Sequence, residues 1–533
     1  MLIHILAMSA AFFVALPAGI ALRSVNHSWH GFSVVLFWFL VLLGCASSGI
    51  YRKLTPNMYE GQKHSSQSYF VLFIALIVSA VDLMAGFGRL WSYLRLLRSG
   101  DKFSLRTFWR QVILGQDDHQ ALGVQAEYTN LVVDEPEDID EDDLKAHLHK
   151  SARHVEFVQT EDLQDRNGAQ TWHNHDYPST PSSERTLFGP RSPRGSQNSE
   201  DTLHVDYRTV AGKASLLRRI GRIVFATLER TLVFAAFGQF MLGVTVYTGG
   251  CRGNYTNGCL AHIIKGGIFW CYGLISFARF LGSFSEKGWA WNRPPSGTHV
   301  SAEFVESAVI FTYGITNTWM ERFGAHPGDP YTTKQVQHIS IAVMFWFAGL
   351  IGMGLESRRL RRWLASVSTA SMDREDRDRG AVAEPASYNG SFNPFPALVI
   401  GVTGAAMSAH FQKYLFQVQI HALWGYCLAA AAVLRCLTYF FVWLSPLRSI
   451  LPSRPPSEAL GSFFLTMGGL VFVFSNEEIT FAAMRRGHDD VMMFANVAVA
   501  ITCFAFCWTL AVVGFKGWLK SRTHRAISFH ASA

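Results

Sequence analysis

Two histidines, His410 and His421, flank a short polar break (Tyr414 to Gln417) between two apolar stretches that are each about long enough to cross a bilayer. The pattern predicts a hairpin of membrane helices with both imidazoles at one membrane edge. An ionisable side chain in or beside a membrane helix is costly, so it points to function unless a neighbouring helix or water satisfies it. Sorted by predicted face, His4, His64, His262, His326, His338 and His488 join the same edge, together with Glu321 and Glu477. Imidazole and carboxylate at one face suit a borderline divalent metal such as Zn, Fe or Cu, which makes His338, His410, His421, Glu321 and Glu477 a candidate ligand set. Histidines facing each other across two helices suit a haem iron equally well. The competing explanation is a water-facing rim where polar residues are cheap. Gly-rich phosphate loops, nucleophile elbows and HExxH zinc signatures are absent from the sequence.

The elements that must position these groups are membrane helices. Of the 533 residues, 49% are hydrophobic and only 16% charged, whereas a soluble chain carries about a quarter charged residues. The apolar residues come in blocks of about 20, the length that crosses a hydrocarbon core of about 30 Å. The expected fold is an all-α integral membrane protein, a polytopic bundle of about eleven spans: 2–22, 32–50, 68–87, 223–248, 259–282, 303–323, 336–354, 394–413, 419–444, 460–480 and 491–514. Unbroken runs exclude a membrane barrel, whose strands alternate every second residue. The first span lacks the basic flank of a cleaved signal and is kept as a helix.

Lys and Arg set the expected orientation. Arg89, Arg95, Arg98, Lys102, Arg106 and Arg110 follow the third span, and Lys213, Arg218, Arg219 and Arg222 precede the fourth, which puts both ends of the 99–215 insert in the cytoplasm. The chain then has its N-terminus outside and its C-terminus inside. The insert is acidic around Asp134 to Asp143 and then rich in Ser, Pro and Arg, a composition that cannot bury a core. The domain expectation is a three-helix module at 1–98, a disordered cytoplasmic insert at 99–215, four helices in 216–354, a mixed-charge linker at 355–393 and four helices in 394–533. On this topology the 248–258 loop lies outside, where Cys251 and Cys259 bracket the Asn254–Tyr255–Thr256 acceptor. A Cys251–Cys259 disulfide and a glycan on Asn254 both belong to an oxidising compartment. The net charge of +7 lies mostly at helix ends, and no nucleic-acid partner follows from it.

Glu303, Tyr313, Gly314, Met320, Glu321 and Arg322, then Gln337, His338, Gly349 and Gly352 open a longer pattern. It continues through Thr403, Gly404, Met407, His410, Gln412, His421, Trp424, Gly425, Arg435, Thr438 and Tyr439 to Met467, Phe474, Ser475 and Asn476. This C-terminal pattern, over roughly 300–520, resembles the fungal Ytp1-like (yeast putative transmembrane) proteins, with the separate N-terminal module that usually accompanies them. The resemblance implies membrane location and no assigned reaction. Residues 4–86 also resemble, through His4, Met8, Pro17, Gly19, Arg23, His30 and His64, the opening of transmembrane cytochromes b that move electrons from ascorbate. Those proteins hold two haems with four histidines, first with third and second with fourth. Here His4 and His64 would share the outer edge as a first–third pair, while His30 finds no fourth histidine at the inner edge.

Three functions stand against one another: a haem- or metal-dependent transmembrane redox protein with His4 and His64 as axial ligands, a divalent-metal binding or transport protein, and a non-catalytic scaffold. The expected cofactor is haem b or a divalent metal. The expected partners are the lipid bilayer and cytoplasmic proteins recruited by 99–215. The disulfide and sequon favour a secretory-pathway, vacuolar or plasma membrane over a mitochondrial one.

Overall fold

The structure is a computed structural model that describes residues 1–99, 103–115, 207–253, 256–291, 300–320, 328–369, 392–445 and 453–523, with 322 and 326. The described residues form helices and no strand. Two units separate, Met1–Val133 with Ile223–Ala533, and Asp134–Arg222. Of the smaller unit only a helical backbone from 207 is described; the acidic and Ser/Pro-rich parts of the insert lie outside the described residues.

In the larger unit, α1 (Leu2–Arg23), α2 (His30–Leu54), α3 (His64–Arg98), α4 (Ile223–Thr248) and α5 (Thr256–Phe280) are followed by α6 (Ala302–Met320) and α7 (Thr333–Glu356). Then come α8 (Phe395–Ser408), α9 (Leu415–Leu444), α10 (Pro456–Phe474), the short α11 (Glu477–Arg485) and α12 (Val491–Thr523). Among the described residues nine of these are long and apolar enough to cross a membrane, α6, α8 and α11 being the exceptions. The eleven expected spans each find a helix, but two fall short for different reasons. α6 carries Glu303, Glu306 and Asn317 among its apolar residues. α8 stops at Ser408 after 14 residues, about 21 Å of rise against the roughly 30 Å of a hydrocarbon core. The expected 460–480 span is also divided. Asn476 accepts a hydrogen bond from Glu478 N and caps a new helix, so Glu477 belongs to the first turn of α11.

Local chemistry explains the remaining breaks. Pro17 has no N–H to offer the carbonyl of Phe13; α1 widens to a π turn at Ala11–Ala15, and Phe13 O accepts instead from Trp508 Nε1 at 2.6 Å. A capping box starts α7, with the Thr332 hydroxyl accepting from Gln335 N and the Gln335 amide from Thr332 N. Without a hydrophobic drive between helices in lipid, the bundle is closed by small residues that let backbones touch. A Cβ on Gly404 would lie 2.5 Å from Gly425 O, and one on Gly425 would lie 2.5 Å from Gly404 O. Gly266 and Gly469 stand in the same relation between α5 and α10, at 2.6 and 2.7 Å. Around these crossings Trp424, Phe472, Leu428, Ile420 and Val471 fill one core, while Ala11, Phe12, Phe37, Val41 and Leu232 fill another in the N-terminal helices.

Candidate functional site

The edge that α1, α3, α5 and α9 share at their N-terminal turns collects imidazoles in pairs. His4 of α1 and His64 of α3 have ring centroids 6.4 Å apart with planes nearly perpendicular at 86°. His4 Nδ1 lies 2.9 Å from Gly44 O. A carbonyl can only accept, so Nδ1 carries the proton and Nε2 keeps its lone pair. His64 Nδ1 lies 2.7 Å from the Gln239 amide nitrogen, which also donates to His64 O at 2.8 Å. On the other side of the His64 ring is Gly243, where a Cβ would approach Cε1 to 3.0 Å. Helix α4 therefore positions His64 twice, by an amide and by the absence of a side chain.

A second pair joins α5 to α9. His262 and His421 have centroids 6.1 Å apart at 83°. Each is pinned by its own helix, His262 Nδ1 donating to Gly258 O at 2.8 Å and His421 Nδ1 to Gln417 O at 2.7 Å. Both rings thus present a bare Nε2 beside the stacked Trp424 and Phe472 rings. The third pair is His338 of α7 with His410, just beyond α8, at 5.8 Å; His410 Nδ1 is 3.0 Å from Gln337 Oε1.

The expected metal set therefore divides. His338 meets His410, while His421 turns to His262, which the sequence placed at this edge without assigning it a role. Glu477 is exposed on α11, and Glu321 lies outside the described residues. Among the described residues the only group of three ligand-type residues within 4.8 Å is Cys251, Cys259 and Glu478. There the two sulfurs are spent on each other as a disulfide with Cα atoms 5.2 Å apart. Glu478 instead anchors that loop, its carboxylate accepting from Cys251 N and Arg252 N. Asn254 lies outside the described residues.

The opposite ends of the same helices hold buried charge. Arg23 pairs with Asp82 and, at 3.0 Å, with Glu229, and His30 sits among them. His30 is fully engaged, Nδ1 with Gly19 O at 3.1 Å and Nε2 with Arg23 and Asp82, so it has no nitrogen left for a metal. In the C-terminal helices Arg279 holds Glu303 at 3.0 Å and Glu306 at 2.6 Å, and Arg435 holds Glu458 at 2.7 Å and Glu306 at 3.4 Å. The Trp291 ring lies under both guanidiniums, 4.9 and 5.2 Å from their centres.

An all-helical polytopic bundle with polar groups gathered at both helix ends defines a multi-pass integral membrane protein. A family model described as "Protein YTP1-like, C-terminal" matches residues 235–517, and a "Domain of unknown function (DUF2427)" matches residues 1–85. The chain belongs to the Ytp1-like family of fungal membrane proteins, and the family region begins at 235, further upstream than the residue pattern from about 300 suggested. The chain is 30% identical to "Uncharacterized membrane protein C3B8.06" of Schizosaccharomyces pombe over 97% of its own length and 94% of that protein's. It is 34% identical to "Uncharacterized membrane protein YCR061W" of Saccharomyces cerevisiae, covering 57% of this chain and 50% of that one. It is 25% identical to "Protein YTP1" of the same yeast, over 54% of each. No solved structure matches the chain.

Proposed function

We propose that the protein is a transmembrane redox protein whose N-terminal helices hold one haem b between His4 and His64. The observation that carries this is the spacing of the pair, together with the tautomer of His4. Two imidazoles that share one iron at about 2 Å each have their nitrogens ~4 Å apart and their ring centres ~6 Å apart; His4 and His64 stand at 6.4 Å. Gly44 O fixes the His4 proton on Nδ1, the arrangement that orients and strengthens a metal-bound imidazole. Gln239 orients the His64 ring from α4 through its amide nitrogen, which donates to His64 Nδ1, His64 O and Ser68 Oγ. A bound haem would supply one-electron transfer; the chain's own contribution is to hold both rings. One such pair, with His30 committed elsewhere, supports a single haem.

The same reading places the N-terminus and the 248–258 loop outside, with Asn254 glycosylated, and the C-terminus in the cytoplasm of a secretory-pathway, vacuolar or plasma membrane. It leaves the 99–215 insert to recruit cytoplasmic partners. The test is an absorption spectrum of full-length protein purified after haem-replete expression. A Soret band present in the wild type and lost in His64→Ala is expected, and a wild-type preparation without one removes the proposal. A second reading, divalent-metal binding at this edge, rests on His338 beside His410. Metal content unchanged between wild type and His410→Ala counts against it.

A further inference from the structure

The C-terminal charge group does not balance. Arg279 and Arg435 contribute two positive charges, and Glu303, Glu306 and Glu458 contribute three negative ones, so the formal sum is 2 − 3 = −1. All five are buried or nearly so; Glu458 is 1% exposed and Glu303 6%. An uncompensated charge in this setting is expensive, and a buried group that can shed it by taking a proton does so. The carboxylate best placed is Glu458. Its Oε1 lies 2.7 Å from the Arg435 guanidinium as an ion pair, yet neither Oε1 nor Oε2 accepts a well-formed hydrogen bond although both are enclosed; Oε2 has no ion pair either.

The groups facing Glu458 come from each helix packed around it. α5 brings Arg279 and Tyr272, α6 brings Glu306, and α9 brings Arg435, with Glu303 beyond them on Arg279 and Tyr439 beside Arg435. At this edge α12 carries Lys516 and Lys520, the latter tied to Glu286 at 3.1 Å. One turn along α10 from Glu458, a cavity of about 20 Å³ is lined mostly by apolar residues such as Ala397, Ile400 and Leu465, with Tyr272, Arg435 and Ser462 as its polar members, room for one water molecule.

We propose that this group is a membrane-embedded proton-binding site in which Glu458 takes up and releases one proton. In the uptake step Oε2 accepts a proton from a hydronium ion, leaving water and a neutral carboxylic acid, and the five-residue group becomes neutral. The site lies at the opposite end of the helices from the imidazole pairs and does not depend on haem at His4 and His64.

Infrared spectroscopy of the full chain in lipid, in H2O and in D2O, reads protonated carboxyls directly through their carbonyl stretch. At neutral pH the wild type is expected to show a protonated-carboxyl band, shifted in D2O, that disappears in Glu458→Gln. Glu306→Gln is expected to remove the same band, because the remaining two arginines and two carboxylates already balance. Persistence of the full band in Glu458→Gln would overturn the assignment. So would a wild type with no protonated carboxyl at neutral pH, which also settles the matter if Glu458→Gln fails to accumulate. Thermal stabilisation of such a wild type by sodium chloride over choline chloride would assign the compensating charge to a metal cation instead.

Discussion

At the residue scale the informative fact is which nitrogen of each histidine is spent. Gly44, Gly258 and Gln417 each offer a carbonyl to a ring Nδ1, and each leaves Nε2 as an acceptor in a half-buried or buried place. Gln239→Leu removes the amide from His64 while keeping the helix, and haem content in the purified protein is expected to fall 10- to 100-fold in affinity, the usual effect of losing an outer partner of a metal-bound histidine. Unchanged haem retention during dilution would mean that Gln239 plays no part. His410 supplies a pH test of its own. Partial burial first, then the neighbouring His338 and Lys334, hold its pKa below the ordinary value. A histidine whose folded pKa is lowered resists protonation, so its contribution is complete above about pH 6.5, the unfolded value, and is lost as the pH falls from there through the lower folded value. Melting temperatures measured across that range are expected to drop on acidification in the wild type and to drop less in His410→Gln. The sequence shows the histidines and their common edge; it does not show that His421 meets His262 while His410 meets His338. Partner choice across helices is set by tertiary packing, and no local spacing encodes it.

At the element scale the bundle rests on backbone contacts that admit no side chain. Gly404→Val would drive a branched side chain into the Gly425 carbonyl. We expect a loss of about 1–3 kcal/mol, as for other overpacked interiors, read as a lowered melting temperature in detergent. A shift within error would show that α8 and α9 separate freely. The loop closed by the disulfide is held from a distance: Glu478 reaches from α11 to the backbone N–H groups of Cys251 and Arg252. Glu478→Ala is expected to leave the disulfide formed but to increase its rate of reduction by dithiothreitol, followed by thiol alkylation and mass spectrometry. An unaltered rate would make the carboxylate dispensable. Helix positions were legible because apolar blocks interrupted by Pro, Gly and Arg have few other readings. The two spans that came out short, α6 and α8, have sequence reasons that window averaging hides: acidic residues enter the first, and Ser408 to Lys413 turn before a bilayer's depth is reached.

At the scale of the whole molecule, both halves share a plan. Imidazole pairs sit at one end of the helices and paired arginines and carboxylates at the other. His4 and Arg23 belong to one helix, 19 residues and about 28 Å apart. Removing one partner of a buried ion pair leaves the other to uncompensated desolvation. Arg435→Ala is therefore expected to cost about 3–5 kcal/mol, seen as lost folded yield in membranes, because it leaves Glu458 without its paired cation and Glu306 with Arg279 alone. Normal accumulation would mean that water replaces the guanidinium. The charged members of these networks were visible in the sequence as isolated ionisable residues within apolar runs, a position that demands pairing. Their assignment to two separate groups was not, since Arg23 and Glu229 are separated by the whole insert.

The central claim is that the His4–His64 pair binds one haem. A pyridine haemochrome assay on purified full-length protein, set against protein concentration by amino-acid analysis, measures this most directly. One haem per chain is expected, lost in both His4→Ala and His64→Ala and kept in His421→Ala. No haem in the wild type, or haem that survives either N-terminal substitution at full stoichiometry, would contradict it.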